Sequence, residues 1–166
     1  AGRVPTRRRS VDSATGRAAV VSRADRAPAG LPRGVYLLTD TVLCAERGLA
    51  ASVRDAIAGG VTAVQYRDKG ADPARRRREA DELAALCRDA GVTFIVNDDP
   101  RLAAECGADG VHLGRDDASP RDVRRGYGRP LLLGVSCYDD PRRARAAIED
   151  GADYVAFGSA YPSATK

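Results

Sequence analysis

Hydrophobic and polar positions alternate along residues 34–166 in blocks of two kinds. VYLLTD (35–40), VTAVQYRDK (61–69), VTFIVND (92–98), ADGVHLGRDD (108–117), PLLLGVSCYDD (130–140) and ADYVAFGSAYPSATK (152–166) each pair a short apolar run with a polar end. Short continuous apolar runs of this kind predict buried parallel strands. Between them lie LAASVRDAIAGG (49–60), ADPARRRREADELAALCRDAG (71–91), PRLAAECG (100–107), SPRDVRRGYG (119–128) and PRRARAAIEDG (141–151). These space their apolar residues for one helical face and stop at Gly, and all but the first start near Pro or a Ser cap. The run Arg75–Arg78 reads as a solvated helix face with acidic neighbours.

A repeat supports this parsing: residues 107–114 read GADGVHLG and residues 151–158 read GADYVAFG, each after a helix. A helix-ending Gly, a short turn and a buried strand, used twice, imply parallel strands with covering helices. Six strands in simple alternation fit an α/β fold, either a (β/α)8 TIM-type barrel or an open doubly wound sheet. Every predicted strand ends in polar groups, which suits the mouth of a barrel, whereas an open sheet gathers its site at one switch point. No GxGxxG or GxxxxGK[ST] sequence occurs, so the dinucleotide and Walker A fingerprints are both missing. The expected fold is therefore the barrel, with its first six β/α units in this chain.

Residues 1–33 carry eight arginines and two aspartates, which leaves the rest of the +4 chain with a net charge of −2. The basic character belongs to this stretch, and the globular part does not call for nucleic acid as a partner. With no sustained period and many small residues, 1–33 reads as a disordered or loosely attached extension, and 34–166 as the folded domain. An Arg-rich, acid-poor start also brings up a targeting peptide as the lesser reading. No apolar run reaches membrane-spanning length and no signal peptide is visible, so a cytoplasmic protein is expected, with Cys44, Cys87, Cys106 and Cys137 as reduced thiols.

The candidate chemistry lies at the strand ends. Gln65, Arg67 and Lys69 alternate, which on a strand puts an amide, a guanidinium and an ammonium on one side, a set suited to phosphate. The plainer reading is a strand end whose charges reach solvent. Asp98 and Asp117 follow two successive strands, whose ends share a face in a parallel fold. Two carboxylates there suit a hard cation such as Mg²⁺, which keeps waters that a phosphate displaces. Alternatively, Asn97-Asp98 and Asp116-Asp117 cap the elements that follow. His112, the only histidine, reads as a packed core residue. Ser136 has no GxSxG context and no nearby histidine, which argues against nucleophilic catalysis.

QYRDK (65–69), ND (97–98) followed by LAxxxGADGVHLGRDD (102–117), GVSC (134–137) and GADYVAFGSAYPSATK (151–166) occur in one order and spacing. Together they closely resemble the thiamine-phosphate synthase family. The resemblance implies a (β/α)8 barrel that joins hydroxymethylpyrimidine diphosphate to a thiazole phosphate and releases pyrophosphate with Mg²⁺. It implies that Gln65, Tyr66, Arg67, Asp68, Lys69, Asn97, Ser136 and Lys166 hold the pyrimidine diphosphate. It places Ser163, Ala164 and Thr165 on the thiazole phosphate and Asp98 and Asp117 on the metal, with no residue as an acid–base catalyst. The expected partners are small phosphorylated substrates, with homo-oligomers possible. The chain departs from the family at Tyr138, where His is usual, and in stopping after six strands. A thiazole tautomerase of the same superfamily and a catalytically inactive truncated barrel are the alternatives.

Overall fold

The computed structural model describes residues 30–128 and 130–158. Residues 1–29, almost all of the basic extension, lie outside them, as do Ser163, Ala164, Thr165 and Lys166. The strands are β1 (Val35–Leu38), β2 (Val61–Tyr66), β3 (Thr93–Asn97), β4 (Gly110–Leu113), β5 (Leu132–Tyr138) and β6 (Tyr154–Phe157). Between them run α1 (Leu49–Ala58), α2 (Pro73–Ala90), α3 (Pro100–Cys106), α4 (Pro120–Tyr127) and α5 (Pro141–Glu149). All strands are parallel and pair in chain order, β1-β2-β3-β4-β5-β6. The alternation read from the sequence is borne out element by element.

Local chemistry explains where the helices start. Asp72, Asp99, Ser119 and Asp140 each cap a helix with a side-chain oxygen that accepts a backbone N–H, and a proline follows each cap. The oxygen satisfies an N–H that has no partner inside the helix, and proline gives up only an N–H that would have had none. Gly91 and Gly107 end α2 and α3 at φ 70°, in the left-handed region that a helix terminator favours.

The sheet is curled. Tyr36 on β1 and Tyr154 on β6, at the two edges of the sheet, bring their hydroxyls to 3.1 Å. Register then separates the faces. Val64, Tyr66, Phe94, Val96, Val111, Leu113 and Leu133 face outward and form the main core with Val53, Leu83, Cys87, Leu102 and Val123 of the helices. A smaller cluster joins Val135 and Cys137 to Ala144 and Ala147 of α5. The concave face carries Tyr36, Ala63, Gln65, Ile95, Asn97, His112, Ser136 and Tyr154. Gly134 is required there, because a Cβ would collide with the Tyr154 ring and with His112 Nδ1.

The GAD repeat has a further purpose. Asp109 donates its N–H to Phe94 O at 2.8 Å and accepts the Phe94 N–H at 2.8 Å through Oδ2. Asp153 does the same with Leu133, at 2.8 and 2.7 Å. Each aspartate thus clamps the start of its strand to the preceding one. The arginine run is tied down more than expected: Arg75 pairs with Asp68 and Glu79, Arg76 with Asp99, and Arg77 with Asp81 and Glu105. No helix among the described residues is long and apolar enough to cross a membrane.

Candidate active site at the carboxyl ends of the strands

β2 stops at Tyr66, so only Gln65 of the Gln65-Arg67-Lys69 set lies on a strand. Gln65 is buried on the concave face, 3% exposed. Its carbonyl accepts from Thr39 N–H at 2.9 Å, and Thr39 Oγ1 accepts from Arg67 N–H at 2.9 Å. The buried Thr39 therefore fixes the chain where it leaves β2. Tyr66 turns outward and donates to Glu79 Oε2 of α2 at 2.6 Å, where burial and then the Glu79 carboxylate push its phenol well above the ordinary value. Asp68 also faces α2, 2.6 Å from the Arg75 guanidinium. Burial opposes its charge, but the Gly70 N–H and Arg75 outweigh that and hold its carboxyl below the ordinary value. These two residues brace the loop, and leave Arg67 and Lys69 exposed at the rim.

Lys69 Nζ donates to Asp98 Oδ2. Asp98 follows β3 with φ 64°, and its N–H donates to His112 O at 2.8 Å. Aspartate tolerates this left-handed conformation better than most residues, and such strained positions cluster at functional sites. Asp117 folds back over the end of β4, where its Oδ2 accepts from Gly114 N–H at 2.6 Å, and its carboxylate lies beside that of Asp98. Burial first, and the Asp98 carboxylate second, raise the Asp117 pKa. A Cβ on Gly114 would lie 3.0 Å from Asp117 Oδ2 and 3.8 Å from Asp98 Oδ1. The missing side chain gives the two carboxylates room to meet. Capping does not explain this pair, because Asp99 and Ser119 cap α3 and α4.

The pair fits a divalent cation. Two touching carboxylates repel when both are charged, and a cation between them relieves that repulsion. No group of three or more His, Cys, Asp or Glu side chains among the described residues forms a metal cage. That composition suits Mg²⁺, which takes one or two carboxylates and completes its shell with water and phosphate oxygens. An open pocket of about 550 Å³ borders Lys69 and Asp98 and runs outward past Arg76, Arg101 and Tyr127.

Asn97 lies half-buried on the concave face, in register with His112. His112 is buried, 8% exposed, as the sequence predicts. A histidine does stand beside Ser136, however: His112 Nε2 is 2.9 Å from Ser136 Oγ, and His112 Nδ1 is 3.1 Å from Tyr154 Oη. Burial lowers the His112 pKa to about 4, against an opposing pull from Asp98. A neutral imidazole with a tyrosine, and no carboxylate, behind it is not a triad base. The motif reading missed this contact because β4–β5 register creates it. One signal was available: the GAD repeat aligns Gly110 with Tyr154 and His112 with Ala156, all on one face.

The model of the thiamine monophosphate synthase family matches residues 35–166. A thiamine-phosphate synthase of Thiobacillus denitrificans is 61% identical over 135 residues, which are 81% of this chain and 64% of that protein. One of Bordetella pertussis is 56% identical over 135 residues, 81% of this chain and 62% of that protein. The solved thiamine phosphate pyrophosphorylase from Pyrococcus furiosus superposes with a TM-score of 0.70 at 34% identity, covering 76% of this chain and 60% of the other. The chain thus spans less than two thirds of the length of these relatives. The family match extends over every strand of the curled sheet and over both carboxylates at its mouth, and on that ground the chain belongs to the thiamine monophosphate synthase family.

Proposed function

We propose that these residues form the pyrimidine-diphosphate half of a Mg²⁺-dependent thiamine-phosphate synthase site, in a sheet that continues into a closed (β/α)8 barrel. The observation that carries this reading is the Asp98–Asp117 contact beside Lys69. Asp98 and Asp117 hold the cation, and Arg67 and Lys69 neutralise the phosphate oxygens. Gln65, Asn97 and Ser136 offer polar groups to the pyrimidine diphosphate, while Tyr66 and Asp68 keep the 66–70 loop in place. Lys166 joins the diphosphate ligands, and Ser163, Ala164 and Thr165 take the thiazole phosphate.

The bond from the pyrimidine methylene carbon to the diphosphate oxygen breaks, and the thiazole nitrogen forms the new bond to that carbon. Pyrophosphate leaves with the electron pair. When bound, Mg²⁺ supplies electrostatic stabilisation of the charge on the departing oxygens. Lys69 and Arg67 supply the same kind of stabilisation from the protein side, preorganised by Thr39 and by Asp68 with Arg75. Neutral His112 fits a reaction in which no proton must move.

Pyrophosphate release tests this reading. With both substrates and saturating Mg²⁺, the Asp98→Ala variant of the full-length protein should lose activity on the order of 10²-fold or more, with its circular dichroism unchanged. Equal turnover by variant and wild type would remove Asp98 from the metal site.

A further inference from the structure

We infer that Arg115, held over the Tyr138 ring, is an additional phosphate-gripping residue of this site that sets how tightly a phosphate oxyanion is held between β4 and β5. The inference rests on the synthase reading and adds to it a residue of the segment after β4, two positions before Asp117.

Arg115 follows Gly114, the residue over which Asp98 and Asp117 meet. Its guanidinium carbon lies 4.4 Å from the centroid of the Tyr138 ring. Among the described residues it forms no ion pair, although Asp116 and Asp117 are its neighbours in sequence. A guanidinium held over a ring face by cation–π attraction keeps N–H donors with which to engage phosphate.

Tyr138 is held for this purpose by unusual backbone. Its φ is 55°, an uncommon value for a bulky residue. The β5–β6 register slips between Ser136 and Tyr138, the kind of bulge that re-aims a side chain next to a site. Gly158 N–H donates to Tyr138 O at 3.0 Å and holds the bulged end. Arg143 of α5 ties the neighbouring strands together, donating to Ser136 O at 2.8 Å and to Gly114 O at 2.9 Å. The residues adjoining Arg115 and Tyr138 are therefore fixed relative to each other, so the guanidinium is positioned before any anion arrives.

Two phosphates fit this chemistry, the diphosphate leaving group and the monoester of the second substrate. Calorimetric titration of the chain with inorganic pyrophosphate and with inorganic phosphate, both with Mg²⁺, separates them. Arg115→Ala should weaken binding of one anion about tenfold, a loss typical of one charge-assisted contact. A loss confined to pyrophosphate assigns Arg115 to the leaving group, and a loss confined to phosphate assigns it to the monoester. Arg115→Lys should recover only part of the loss, since lysine lacks the planar fork. Tyr138→Leu should match Arg115→Ala without adding to it, and Tyr138→Phe should restore binding. Lys69→Ala serves as the reference for the site itself. If Lys69→Ala weakens pyrophosphate binding and Arg115→Ala changes neither anion, the inference falls and the site reading stands. If the wild-type chain binds no pyrophosphate, the site reading falls and the inference with it.

Discussion

His112 sits in a line of side chains on the concave face: Tyr36 to Tyr154 at 3.1 Å, Tyr154 to His112 at 3.1 Å and His112 to Ser136 at 2.9 Å. Burial disfavours charge along this line. It pushes Tyr36 up to about 12, raises Tyr154 further, and lowers His112 to about 4. A histidine whose folded pKa is depressed stabilises the fold above its ordinary value of 6.5, and that stability is lost as pH falls through the folded value. Between pH 6.5 and 4 the unfolded chain holds the extra proton. His112 alone should therefore give a slope approaching about 1.4 kcal/mol per pH unit, about 3 kcal/mol in all. Urea unfolding in EDTA at successive pH values checks this: the stability difference between wild type and His112→Gln should shrink as pH falls. Parallel profiles would refute it. The sequence showed a lone histidine in an apolar strand, and its burial was legible there. Its contact with Ser136 was not, because 24 positions separate the two residues and only β4–β5 register brings them together.

The elements themselves were legible because each is local. A Pro after Asp or Ser starts four of the helices, and short runs rich in Val and Leu make the strands. What the sequence could not supply was the direction of residues past a strand end. Lys69 reads as the third member of an alternating strand, yet β2 has ended and a loop carries it to Asp98. Likewise, the GAD repeat was visible as a pattern, but its clamp between strands depends on pairing. Asp153 also pairs with Arg124, whose side chain is only 12% exposed and donates to Gly151 O, Gly128 O and Leu131 O as well. Asp153→Ala leaves the Leu133 N–H without its charged acceptor and Arg124 without its counter-charge. A loss of roughly 1.5–3 kcal/mol is expected, the range for hydrogen bonds to charged groups. Asp81→Ala, which breaks an exposed pair with Arg77, should leave the urea midpoint nearly unchanged, since such pairs contribute little. Equal shifts for the two variants would show that the repeat's aspartate is not the clamp described.

At the scale of the molecule, the polar groups described at the site divide unevenly around the curl. Gln65, Arg67, Lys69, Asn97, Asp98, Asp117 and Ser136 all lie at the ends of β2–β5, inside the sheet rather than at its margins. The margins are the strands β1 and β6, and they expose Val35 at 62%, Leu38 at 55% and Phe157 at 58%. Exposed apolar residues at the margins of a parallel sheet invite association, and the relatives named above are longer than this chain. Strands seven and eight of a barrel commonly carry phosphate-binding loops. On the proposed reading, a site without them would keep the diphosphate contacts and lose contacts to the second substrate, and a displacement of about 1 Å in a reacting group can cost on the order of 10²-fold in rate. The 166-residue chain by itself should therefore bind pyrophosphate with Mg²⁺, self-associate as its concentration rises, and form thiamine phosphate at no measurable rate. A chimaera that continues it with the C-terminal part of the Thiobacillus denitrificans relative, 61% identical over the shared region, should run as a defined species on gel filtration and recover turnover. Brisk synthesis by the 166-residue chain as a monomer would show that the sheet described is catalytically sufficient as it stands.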